Sequence, residues 1–139
     1  MPRRLAGTVR VDGTDDENWP ETDEVVHKTY TINVVLDDSQ PATALDIPDV
    51  KWGGECRVEV RVTARIVDGG RVQVEGKAML FEGTSENTDD LEDQQTITMT
   101  VPRGGSPVHQ TIQLRSSGLG GGDHAEIGFS FTNAVLEEP

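Results

Sequence analysis

Apolar and polar residues alternate along most of this chain, and helical spacing is almost absent. Alternation of this kind sends successive side chains to opposite faces of a strand, one face buried and the other wet. The clearest stretch is "CRVEVRVTARIV": Val58, Val60, Val62, Ala64 and Ile66 share one face, with Arg57, Glu59, Arg61, Thr63 and Arg65 on the other. "RVQVEGKAML" follows, with Val72, Val74, Gly76, Ala78 and Leu80 together. "VHKTYTINVVL" groups Val26, Tyr30, Ile32, Val34 and Leu36 on a face interrupted by Lys28. "LAGTVRV" near the start, then "TITMTV", "VHQTIQL" and "AEIGFSF", complete seven half-buried segments separated by Gly-, Asp- and Pro-rich connections. Seven such strands predict an all-β fold: a single antiparallel β-sandwich of Greek-key type, C2- or immunoglobulin-like in layout, with a small barrel as the alternative. No internal repeat or break in composition interrupts the pattern, so residues 1–139 are expected to form one domain.

The turn "VDGGRV" tests this reading. A two-residue loop, Gly69-Gly70, would set Ile66 opposite Gln73 and put apolar residues on opposite faces. A three-residue loop, Asp68-Gly69-Gly70, pairs Ile66 with Val72, Ala64 with Val74 and Val60 with Ala78, keeping one face apolar. The longer loop is therefore expected, as a type I turn followed by a glycine bulge with Gly70 at positive φ. Among the other connections, only residues 83–94 could hold a helical turn, capped by Asn87 or Thr88.

Charge narrows the function. The 139 residues carry 25 acidic and 12 basic side chains, a net charge of −13. That balance argues against nucleic acid and anionic membranes, which need clustered Lys and Arg, and it suits cations or basic partners. One cysteine, Cys56, permits no internal disulfide and fits a reducing compartment. No apolar run reaches the roughly 18–20 residues that span a bilayer, and the start lacks a signal-peptide core, so a soluble cytoplasmic protein is expected.

Candidate chemistry is sparse. "VDGTDDENWPETDE" holds seven acids and no base, yet Glu17 stands where a calcium-binding helix–loop–helix needs glycine, and no helix flanks it. A solvated hairpin connection is the expected reading, with Trp19 as a possible anchor for a partner. "SSGLGGGDH" lacks the third glycine and the following helix of a nucleotide-binding turn. No GxSxG, HExxH or CxxC occurs. Cys56 points inward as a small buried thiol, Trp52 reads as a core plug, and His27 and His109 fall on polar faces.

A sharper expectation comes from parity. In an antiparallel fold, successive connections alternate between the two ends. Seven strands would gather residues 37–55, 83–94 and 116–123 at one end, leaving 12–24, 68–70 and 102–107 at the other. The first end would then carry Asp37, Asp38, Asp46, Asp49, Asp89, Asp90, Asp93 and Asp123. Calcium takes six to eight oxygens from flexible loops, so Asp37, Asp38, Asp89, Asp90, Asp93 and Asp123 form the candidate metal set, with calcium the candidate cofactor. The arrangement resembles the calcium cup of C2-type sandwiches in layout alone. With no catalytic set in view, the expected function is a non-enzymatic binding module with a protein partner, basic in character. The alternative is a metal-free interaction domain using the face of Arg57, Arg61, Arg65 and Arg71, or an edge strand.

Overall fold

The structure, a computed structural model, describes residues 2–15, 24–37, 41–83, 85–87, 90–116 and 123–135. Its strands are β1 (Arg3–Asp15), β2 (Glu24–Leu36), β3 (Thr43–Ala44), β4 (Val50–Trp52), β5 (Cys56–Val67), β6 (Arg71–Glu82), β7 (Leu91–Val101), β8 (Val108–Arg115) and β9 (His124–Val135). The seven long ones are the seven alternating segments of the sequence; β3 and β4 are additional. All pairings are antiparallel, in two sheets ordered β2-β1-β9-β8 and β3-β5-β6-β7, with β4 also on β5. The fold is thus an all-β sandwich. Its pairings join strands that follow one another in the chain, together with the first and last strands and with β3, which pairs with β5 past β4; the expected Greek-key crossing is not among the pairings of the described residues.

The core is where the alternation places it. Val58, Val60, Val62 and Ala64 of β5 share one buried cluster with Leu5, Val9 and Val11 of β1 and Ile127, Phe129 and Phe131 of β9. Each such aliphatic side chain contributes roughly 1.5–3 kcal/mol by leaving water. Leu45, Ile47, Val50 and Trp52 extend that core along the irregular β3–β4 segment, so Trp52 is the plug the sequence suggests. Residues 91–94, expected to lie in the connection 83–94, belong to β7, which bulges opposite Leu80 and Phe81. Asn87 caps no helix: its Oδ1 accepts from Lys51 Nζ at 2.8 Å, while Thr88 lies outside the described residues.

The β5–β6 hairpin has the three-residue loop and the predicted register, Ile66 opposite Val72, Ala64 opposite Val74 and Val60 opposite Ala78. One detail differs. Gly69 (φ 77°) and Gly70 (φ 73°) both adopt positive φ, so Gly69 is not in the right-handed conformation a type I turn would give it. Two adjacent glycines make this double left-handed step inexpensive, which a single glycine could not. Alanine at either position should therefore cost roughly 1 kcal/mol, and more at Gly70, where a Cβ would sit 3.3 Å from Arg3 Nη1, than at Gly69, where it meets nothing within 4 Å. Urea denaturation of the two variants checks the order; a neutral Gly69→Ala would contradict the observed turn.

Candidate metal centre

The two short strands change which loops meet. Residues 37–55 are not one loop, because β3 and β4 run antiparallel to β5 and carry the chain from one end of the sandwich to the other. This extra traverse inverts the parity of everything before it. Leu36 ends β2 opposite Arg3, so Asp37 lies at the Arg3 end. Asp15 ends β1 beside the β8–β9 connection, since Thr14 pairs with His124 and His124 with Arg115. The β1–β2, β4–β5, β6–β7 and β8–β9 connections therefore share one end. The acidic stretch expected to be a solvated connection contributes Asp15 to that end.

The six predicted ligands divide accordingly. Asp123 is buried at the shared end. Asp90 lies at the same end, exposed, and its carbonyl accepts from the Glu82 backbone at 3.1 Å. The Asp93 carboxylate accepts the Arg115 backbone N–H at 2.9 Å, tying β7 to β8 across the seam between the sheets. Asp37 is at the opposite end, and Asp38 and Asp89 lie outside the described residues. Asp49, from the wider acidic set, pairs with Arg61 at 2.7 Å.

Around Asp123 the structure gathers groups that the sequence reading left out. Donor atoms of Asp15, Cys56 and Asp123 lie within 4.8 Å of one another, as do those of Glu55, Glu82 and Asp123. Asp15 and Asp123 are 2% and 4% exposed, and Cys56 is fully buried. Strand ends position all five. Asp15 continues the inward face of Val9, Val11 and Gly13; Cys56 opens β5 opposite Glu82 at the end of β6; Glu55 closes the β4–β5 turn. That turn rests on Asp15 so closely that a side chain at Gly53 would overlap its carboxylate. Trp52, one residue earlier, packs on Gly13, and its indole N–H has no hydrogen-bond partner among the described residues.

The two triads differ in chemistry. In the inner one the Cys56 thiol donates to Asp123 Oδ2 at 3.7 Å, and burial, then the charges of Asp123, Asp15 and Glu82, push its pKa up. The thiol is a proton donor there, not a thiolate ligand. The outer triad is all oxygen and opens to water through the exposed Glu55. Within it, burial first and then a hydrogen bond with Asp123 push the Glu82 carboxyl up to about 7, against the opposing bond from Ser116. Carboxylates held this close want a proton or a cation between them.

A pH dependence follows for the ion-free protein. Glu82 is raised, so its stabilising contribution is full below the ordinary value of 4.5 and is lost as pH rises through about 7. For a partly exposed group the effect should be about 1 kcal/mol after allowing for solvent screening. Urea denaturation in chelator at pH 5 and pH 8 should show wild type losing that much more than Glu82→Gln; parallel profiles would remove Glu82 from the account.

Three of the four arginines on the expected interaction face are answered by carboxylates of the same chain. Arg57 is buried, stacks 4.4 Å from the Phe81 ring centroid and pairs with Glu59. Arg61 also binds Glu59, Arg65 lies 3.7 Å from Glu75, and Arg71 donates to the Asp68 carbonyl. A carbonyl carries no charge, so Arg71 is the one of the four without an ion pair among the described residues. No family model matches the chain, and no curated protein or solved structure matches it either. Among the described residues no helix is long and apolar enough to cross a membrane.

Proposed function

We propose that this protein is a non-catalytic binding module, cytoplasmic, whose acidic end takes a divalent hard cation, calcium in the first instance, and presents it to a protein partner. The observation that carries the reading is the outer triad, in which Glu55, Glu82 and Asp123 bring carboxylate oxygens within 4.8 Å of one another at a solvent-open loop end. Oxygen-only donors on loops suit calcium better than zinc, which favours nitrogen and sulfur. Water and loop carbonyls would complete the coordination. The inner triad supports the outer one: Asp123 is held by the Cys56 thiol, and Asp15 is locked beneath the β4–β5 turn. A basic partner suits the same end, because the chain's net charge is −13.

Equilibrium dialysis against calcium, with zinc and magnesium as competitors, tests this directly. Saturable binding of one calcium per chain, lost in Asp123→Asn, is the expected result. No binding at millimolar calcium, or displacement by micromolar zinc, would end the calcium reading.

A further inference from the structure

At the end of the molecule away from the acidic cluster, β1 closes its inward face with a base. Arg3 shares that face with Leu5, Val9 and Val11 and is only 6% exposed. Its Nε donates to Asn133 Oδ1 at 2.6 Å. The Asn133 amide nitrogen donates in turn to the carbonyls of Gly70 and Val101, at 2.9 and 3.1 Å. Asn133, on β9, is thus clamped to the ends of β6 and β7 in the facing sheet, and it fixes the guanidinium plane from inside. The Nη1 edge lies against Gly70, where an added Cβ would come within 3.3 Å. That edge borders a cleft of about 490 Å³, lined also by Asp68, Gly69 and Arg103.

A guanidinium stays charged at any accessible pH, and burying one is costly unless an anion answers it. Its hydrogen-bond partner here is a neutral amide, and among the described residues no carboxylate forms an ion pair with Arg3 or Arg103. We infer that this cleft is a carboxylate-binding site, with the outer edge of Arg3 as a fixed two-pronged donor and Arg103 as a second cation at the rim. The planar fork matches a planar carboxylate. Asp68 on the same rim, and the strongly acidic chain around it, oppose a doubly charged phosphate. The site is independent of the proposed cation centre, which lies at the other end of the strands.

Sodium acetate is the probe, titrated into isotopically labelled protein while the Arg3 Nε–H signal is followed, with sodium chloride at matched ionic strength as control. A saturable acetate shift that chloride does not reproduce is expected. Arg103→Gln, at an exposed position, should weaken acetate about tenfold by removing a charged contact. Arg3→Lys removes that reporter, so the expected loss of the saturable acetate response is read on the backbone amide signals of Gly69 and Gly70, which line the same cleft; should the variant fail to fold, the Arg103→Gln comparison still decides. An acetate response equal to that of chloride, or unchanged by Arg103→Gln, would overturn the assignment. So would inorganic phosphate binding more tightly than acetate. A shift of the Arg3 signal in Glu137→Gln with Glu138→Gln, without added acetate, would also overturn it, by making the chain's own carboxylates the occupant.

Discussion

Gly76→Ala should destabilise the protein by about 3 kcal/mol or more, a loss usually reserved for core cavities or broken networks. Gly76 sits in the middle of β6, paired with Val62 on one side and Ile97 on the other. Its φ is +159°, and a Cβ there would overlap the Arg61 carbonyl oxygen and come within 2.7 Å of Val62 Cα. The obstacle is backbone in a central ladder, not a side chain that can rotate away, so relief requires breaking strand pairing. Gly7 repeats the arrangement in β1, where a Cβ would overlap the Ser130 carbonyl oxygen. The control is Gly69→Ala, which carries the positive-φ penalty but meets nothing within 4 Å. Guanidinium denaturation should separate the two by roughly 2 kcal/mol. If Gly76→Ala costs no more than Gly69→Ala, the close strand approach at Gly76 is not real.

Both glycines were visible in the sequence as interruptions of a strand pattern, a known mark of close backbone approach. What the pattern could not give was the neighbour, because only the register names Arg61 and Ser130. The same division runs through the fold. Period-two alternation located the seven long strands, since each buries one face, and register logic fixed the β5–β6 hairpin. It failed at residues 41–52, where "PATALDIPDVKW" keeps Leu45, Ile47, Val50 and Trp52 buried without a continuous strand. Two prolines break the ladder there, so the segment reads as a loop, although it crosses the molecule as a strand would. One miscounted traverse moved Asp37 to the wrong end and hid Asp15. Glu82 and Cys56 were hidden differently, as ordinary strand-end residues whose meaning depends on what faces them. Asp15 had a signal of its own: parity with Val9 and Val11 points it inward, as it does Arg3 at the other end.

In the ion-free protein the acidic end should be the weak point, and calcium should raise the melting temperature by about 8 °C at a hundredfold excess over Kd. A ligand that binds only the folded state adds RT ln(1 + [L]/Kd), ~2.7 kcal/mol under that condition, and a domain of this size gains roughly 3 °C per kcal/mol. Sodium chloride at matched ionic strength should reproduce little of this, because screening supplies no inner-sphere oxygens. Asp123→Asn removes the carboxylate common to both triads and should abolish the calcium response. Glu55→Gln, at an exposed position, should weaken it while leaving the ion-free melt nearly unchanged. Cys56→Ser should keep it, since the thiol acts as a hydrogen-bond donor to Asp123 and a hydroxyl can take that role. Asp37→Asn is the decisive control. It removes the same charge at the opposite end of the strands, so a cation held by Glu55, Glu82 and Asp123 should not notice it. Equal loss of the calcium response in Asp37→Asn and Asp123→Asn would mean that calcium only relieves the net charge of −13. In that case the acidic end would be a surface for basic partners without a bound ion.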